Sequence, residues 1–309
     1  MRVLLVEDIP KKLWSDDVLH LPEDSVDCYV AELTNLGLIE DAKKGTDKKS
    51  IHGGCTEAET LEHFAYRFVV SAGRVEFSTI APGSALSLVP ISNALLSTFS
   101  DGEITLLDIP CGHGSSTISL LATLAALRKA KVIPTLPLTV TIMGGDCSKR
   151  ALEIFESMMQ RLEPTMKKCG VEINWRTQLW DATRADSTAK LVDEWFVASG
   201  KVHEYVVYIA NFSGALKEAG FFDEFKPSLE QILGRLHDKK STLIWVEPIS
   251  DTVKSKFLPK ILDFFKKRIS WFSTGSSNPT FMSGTYSLKD CLNGKVFSSG
   301  LGVQRFERR

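Results

Sequence analysis

From Glu103 onward the chain alternates short, β-branched apolar runs with longer amphipathic stretches. This is the pattern of a parallel sheet whose strands are joined by crossover helices. The first run, EITLLDIP, is followed by a glycine-bearing turn, CGHGSS, and a helical stretch over 117–130. A second strand, LTVTIMGGD, leads into a helix from residue 148 that Pro164 and Gly170 punctuate. The third, VEINWRTQL, ends at Trp180-Asp181. After a helix over 188–198, the run EYVVYIAN is apolar without alternation, so it is expected to be buried on both faces. A helix over 222–237 and a fifth strand, STLIWVEPIS, come next. The segment 252–269 then places Phe257, Ile261, Phe264 and Phe265 on one helical face. Residues 270–309 suit an antiparallel pair that finishes the sheet. The expected fold class is α/β, with a mostly parallel seven-stranded sheet and helices on both faces.

The first hundred residues carry different punctuation and read as an N-terminal extension, 1–100, in front of a main domain over 101–309. A strand is expected over 2–6, helices over 25–36, 57–70 and 90–99, and a Lys/Gly-rich loop over 43–54. With 309 residues, 43% of them hydrophobic, the chain can bury a sizeable core without disulfides or a metal. Its apolar runs are far shorter than the roughly 20 residues a membrane span needs. Glu7 and Asp8 interrupt the N-terminal run where a signal peptide would continue it, so a cytoplasmic protein is expected. The six cysteines stand singly with no Cys-x-x-Cys pair, and are expected to be reduced, independent thiols with no metal site. The net charge of −1 hides an asymmetry, with 9 basic against 15 acidic residues over 1–100 and 11 against 3 over 252–309. The basic end could face phosphate or simply be a solvated helix face.

A glycine-rich turn between a strand and a helix lets a ligand approach the backbone closely. Here it reads Asp108-Ile109-Pro110-Cys111-Gly112-His113-Gly114. This turn resembles the first cofactor-binding motif of class I methyltransferases, acidic-x-Gly-x-Gly-x-Gly, with Pro110 in place of the first glycine and Gly112 and Gly114 in register. The resemblance covers about 103–309 and is strongest over 103–250. It implies a Rossmann-like sheet and S-adenosylmethionine (SAM) as cofactor. SAM carries a cationic ammonium and a sulfonium rather than a phosphate, which suits the acidic Asp108 at the strand end.

On the same resemblance Asp146, ending the second strand, would accept hydrogen bonds from the ribose hydroxyls, and Asp181 would meet the adenine amino group. Read as residues alone, Asp146 could instead cap the following helix and Asp181 could cap a turn. Three acidic residues ending three successive strands would converge on the crevice where open α/β sheets bind ligands. The cofactor-binding candidates are therefore Asp108, Pro110, Gly112, His113, Gly114, Asp146 and Asp181, with His113 as a lining residue.

The fourth strand ends Asn211-Phe212-Ser213-Gly214, where amino-directed methyltransferases commonly place Asn or Asp followed by Pro-Pro and an aromatic residue; only Asn211 and, loosely, Phe212 match. Methyl transfer chiefly needs the nucleophile held against the sulfonium, so positioning by Asn211 can suffice. Glu247 could orient the acceptor, act as a general base or anchor a loop. Asn211 and Glu247 are the catalytic candidates, and Tyr66, Arg67, Arg74 and Phe77 of the extension could approach the crevice as acceptor-binding groups. The expected partner is a methyl acceptor of unknown class, with a small molecule, RNA and protein all open; no membrane partner is expected.

A second reading is a SAM-binding assembly or regulatory factor of this fold without turnover. It draws on the weak match at the fourth strand and on a faint similarity of VEPIS to methyltransferase-like proteins of ribosomal small-subunit assembly, whose cysteine cluster this chain lacks. A third, an NAD(P)-dependent oxidoreductase, fits the sheet but not Asp108 and Pro110.

Overall fold

The computed structural model describes residues 4–45, 54–83, 88–212, 221–249, 261, 263–264 and 282–308. Seven strands form the expected sheet: β3 (Gly102–Asp108), β4 (Leu138–Asp146), β5 (Val171–Leu179), β6 (Glu204–Ala210), β7 (Ser241–Pro248), β8 (Met282–Lys289) and β9 (Val296–Arg308). Two short strands of the N-terminal region, β1 (Trp14–Ser15) and β2 (Val18–Leu19), extend it to nine in the order β1-β2-β8-β9-β7-β6-β3-β4-β5. β3 to β7 pair in parallel, while β9 runs antiparallel to both β7 and β8. β2 is parallel to β8 and antiparallel to β1.

Residues 2 and 3 of the expected strand over 2–6 lie outside the described residues, and the rest of it is corrected: no strand covers 4–6, Val6–Asp8 form a short 3-10 turn, and Val6 is exposed. Leu13 and Leu19, fully buried around the β1–β2 hairpin, carry the edge of the sheet instead. The hydrophobic run near the start was therefore a weaker signal than burial farther along.

Helices cover both faces. α1 (Glu23–Leu36), α2 (Ile39–Lys43), α3 (Glu57–Ile80), α4 (Val89–Thr98), α5 (Ser115–Lys129) and α6 (Lys149–Lys168) contribute to one apolar layer; α7 (Ala185–Ser199) and α8 (Phe221–Arg235) contribute to the other. The strands divide accordingly, because successive side chains point to opposite faces. Ile104 and Leu106 of β3, Val206 and Tyr208 of β6, and Ile244 and Val246 of β7 join the first layer; Leu107, Val207, Ile209, Leu243 and Trp245 join the second. Continuous apolar strands are what burial on both faces requires.

α3 runs to Ile80, ten residues past its expected end, and almost all of its second half is buried. Its start is fixed by a capping box in which Thr56 Oγ1 accepts from the Glu59 N–H and Glu59 Oε2 accepts from the Thr56 N–H. Gly73 lets it lie against β8: a Cβ there would meet Leu288 Cδ2 at 2.7 Å. Helix α6 passes through Pro164, which lies on its exposed face, and ends only at Lys168.

The segment expected as a helix over 252–269 lies outside the described residues except for Ile261, Asp263 and Phe264, of which Ile261 and Phe264 are buried in the second layer. Among the described residues no helix is long and apolar enough to cross a membrane.

Candidate functional site

The strand order reverses between β3 and β6. From β3 the chain proceeds outward through β4 and β5, and from β6 it proceeds the other way through β7. Ligands of open α/β sheets bind in the crevice outside the carboxyl ends at such a switch point. Asp108 ends one of the two central strands, and Asn211 directly follows the other.

Asp108 is fully buried. Its Oδ2 accepts a 2.7 Å hydrogen bond from Thr117 Oγ1 on α5, while its Oδ1 is buried with no partner among the described residues. Burial, only partly offset by Thr117, pushes the carboxyl up to about 7, and the nearby Asp146 adds to this. The strand end thus holds an acceptor and a latent negative charge in reserve.

The turn that follows is built for close approach. The Ile109–Pro110 peptide is cis, and Cys111 is buried, its N–H bonded to the Gly145 carbonyl at 2.9 Å. Gly112 has φ 51°, and a Cβ there would meet nothing within 4 Å. Gly114 has φ 84°, and a Cβ there would meet Phe155 Cδ2 at 2.6 Å. The first glycine leaves open space and the second is locked by α6. Gly114→Ala should therefore lower stability by about 2 kcal/mol, from left-handed strain and overpacking together, read as a lower urea midpoint; an unchanged midpoint would refute the packing argument.

Asp146 ties β4 to this turn. Its Oδ2 accepts from the Gly112 N–H and its Oδ1 from the Ser148 N–H, both at 2.9 Å. Burial raises its carboxyl despite these bonds. The helix-capping role open in the sequence falls to Ser148, whose hydroxyl accepts from the Ala151 N–H on α6. Each carboxylate oxygen has a second lone-pair site, so the bonds to Gly112 and Ser148 leave acceptor capacity at the crevice.

Cys147, between Asp146 and Ser148, is disulfide-bonded to Cys55, with Cα atoms 5.3 Å apart. This corrects the expectation of six independent thiols. The two residues are 92 apart in sequence and meet where the start of α3 lies beside the residues that follow β4. Thr60 Oγ1 and Ser148 Oγ meet at 2.6 Å beside the bridge. Cys28, Cys111, Cys169 and Cys291 are free thiols.

At the end of β6, Asn211 adopts φ 59°, a left-handed conformation that Asn tolerates better than most residues. Its Oδ1 accepts a 2.6 Å hydrogen bond from Arg74 Nη1 of α3. Glu247, fully buried, accepts from the Phe212 N–H at 3.1 Å and from Trp245 Nε1 at 2.7 Å through the same oxygen, Oε1. It holds the turn after β6 in place. Ser213 and Gly214 lie outside the described residues.

Two candidates sit differently. His113 is buried and turned toward α3, with Nε2 3.1 Å from His63 Nδ1 and its ring against Phe64 and Phe68. Burial holds it well below the usual histidine range, so it is neutral. Asp181 is exposed, and its Oδ1 accepts from the Thr183 N–H and hydroxyl in a local turn. The backbone N–H of Trp180, next to it, donates to the Asp146 carbonyl at 2.9 Å.

The structure therefore brings Asp108, Gly112 and Asp146 together on one side of the switch point, and Arg74, Asn211 and Glu247 on the other. Sequence reasoning missed Thr117 and the pairing of His63 with His113. Thr117 stands three residues beyond Gly114, in the first turn of α5, a spacing that places its hydroxyl back toward the strand end. Among the described residues no group of three or more His, Cys, Asp and Glu could hold a metal ion.

No family model matches the chain, and no curated protein matches it. Among solved structures, it is similar to one described for conversion of a disulfide bond into a thioacetal group during echinomycin biosynthesis, at 12% identity and TM-score 0.36, over 70% of this chain and 80% of that one. A modification subunit of a putative type I restriction enzyme from Vibrio vulnificus matches at 11% identity and TM-score 0.38, over 94% of this chain but 51% of the subunit. An rRNA methyltransferase from Streptomyces viridochromogenes matches at 11% identity and TM-score 0.33, over 75% of this chain and 90% of that one.

Proposed function

We propose that the chain is a class I SAM-dependent methyltransferase whose cofactor lies across the β3–β6 switch point. The observations that carry this reading are the buried Asp108 Oδ1 at the end of β3, without a partner among the described residues, and the open space at Gly112 in the turn that follows. A buried carboxyl group with one oxygen still free to accept suits a cationic ligand better than a dinucleotide pyrophosphate, which an acidic group would repel. When bound, SAM supplies a methyl group activated on a sulfonium. The chain's own groups then have separable tasks. Asp108 offers negative charge to the cationic methionyl portion, Asp146 offers acceptor sites to the ribose, and Asp181 remains the candidate for the adenine edge. Asn211 positions the acceptor, and Glu247 fixes the turn that carries Asn211. The reaction requires alignment more than a strong base, and buried Glu247, already accepting two hydrogen bonds, fits positioning better than proton abstraction.

Calorimetric titration with SAM, S-adenosylhomocysteine and NAD tests the reading: binding of NAD with no response to either adenosyl sulfur compound would sink it. Asp146→Ala is expected to weaken SAM binding by about 1–3 kcal/mol, the scale of hydrogen bonds to a charged group. Unchanged affinity would refute the ribose assignment. Turnover is tested by incubating labelled SAM with cell-extract fractions before and after ribonuclease. Label in no fraction would favour the binding-factor reading, which the departure from the Pro-Pro-aromatic pattern after Asn211 motivates.

A further inference from the structure

Arg74 presents an unusual balance of groups. Among the described residues only its Nη1 has a hydrogen-bond partner, Asn211 Oδ1; its Nε is buried with none, and no carboxylate lies within ion-pair distance of it. Burial lowers its guanidinium from the usual value, and the charge of Arg67 acts in the same direction. Arg67 lies two turns earlier on the same face of α3, so the face carries two cations. Arg74 as a whole is half-buried, but a buried guanidinium nitrogen left without an acceptor is costly unless something else completes it.

Asn211 sharpens the point. Arg can only donate, so the atom facing Nη1 must be the amide oxygen, which fixes the orientation of the side chain. Its Nδ2 is then a donor, and it too is buried without a partner among the described residues. The buried Tyr286 hydroxyl, also without a partner among the described residues and near enough to act on Arg74, can donate or accept. Arg74 Nε and Asn211 Nδ2 are both donors, and one belongs to a cation. Their complement is an acceptor with negative charge. The charge of Glu247 is also felt at Arg74, which favours a monoanion over a phosphate dianion.

We propose that Arg74 and Asn211 form a carboxylate-binding subsite at the carboxyl end of β6. The carboxylate comes either from the methionyl end of SAM or from the methyl acceptor. The assignment of sources rests on the SAM reading, whereas the subsite itself rests on the two orphaned donors.

The test titrates wild type, Arg74→Gln and Asn211→Asp with SAM and with decarboxylated SAM, which keeps the ammonium and lacks only the carboxylate. Thermal shifts with millimolar benzoate and acetate are recorded in the presence of S-adenosylhomocysteine. If SAM supplies the carboxylate, wild type prefers SAM over its decarboxylated form by at least tenfold, and Arg74→Gln loses that preference while still binding the decarboxylated form. If the acceptor supplies it, Arg74→Gln keeps the affinity for SAM but loses a carboxylate-induced thermal shift that wild type displays. Asn211→Asp places a carboxylate beside Arg74, so it should melt higher than wild type and lose the same response, which separates the effect from misfolding. No discrimination and no thermal shift in wild type would overturn the proposal. A carboxylate shift without any SAM binding would sustain the subsite and remove the SAM reading.

Discussion

Reduction of the Cys55–Cys147 disulfide lowers the unfolding free energy by up to about 4.6 kcal/mol, the loop-closure value for a bridge of this span. The bridge spans 92 residues, enclosing α3, α4, β3, α5 and β4, so its loss releases a large part of the chain's conformational freedom in the unfolded state. Its location adds a local consequence. Cys147 lies between Asp146 and Ser148, and Cys55 directly precedes the Thr56 cap of α3. Urea unfolding with and without reductant, beside the Cys55→Ser, Cys147→Ser double variant, measures the effect. The reduced wild type and the double variant should share one lowered midpoint. Equal midpoints with and without reductant would show that the bridge contributes nothing to stability. A disulfide is uncommon in cytosolic proteins, so the same measurement on protein taken from cells under thiol-trapping conditions bears on the expectation of a cytoplasmic location.

The stability of the wild type relative to Asp108→Asn falls by about 4 kcal/mol as pH rises from below 4 to above 7. The sign follows from proton counting. The Asp108 carboxyl sits near 7 in the folded chain against 3.8 ordinarily, so between these values the folded state holds a proton that the unfolded state has released. Stability from this group is complete below about pH 4 and is lost as pH rises through about 7. Glu76 and Asp146 are also buried and raised and contribute with the same sign, which is why the difference between wild type and Asp108→Asn is the informative quantity. A pH-independent difference would show that Asp108 ionises freely. On the SAM reading a cation beside Asp108 favours its charged form, so binding below pH 7 should release a proton, visible as buffer-dependent binding enthalpy that Asp108→Asn abolishes.

The sheet was legible because each strand announces itself locally. LTVTIMGGD and VEINWRTQL coincide with β4 and β5, and the strand ends placed Asp108 and Asp146 correctly. The final antiparallel pair was also readable, from the mixture of Gly, Ser and β-formers over 270–309. Less visible were the features that depend on distant partners. α3 continues past residue 70 because its second half is enclosed by α5, β8 and β9, and Pro164 does not end α6, where it lies on the exposed face. The β1–β2 edge strands are two residues each, too short to carry a period.

The site divides in the same way. Residue types along the chain determined that acidic groups follow successive strands and that a glycine turn joins β3 to α5, since both are properties of adjacent residues. Only the tertiary structure decided what those groups face. It buried Asp108 with one oxygen unpartnered among the described residues, engaged Asp146 with Gly112 and Ser148, turned His113 into the aromatic packing of α3, joined Cys55 to Cys147, and set Arg74 against Asn211 across 137 residues. Local sequence sets backbone periodicity. The partners of a side chain, and with them its charge state and its capacity to bind, are set by which elements the fold brings against it.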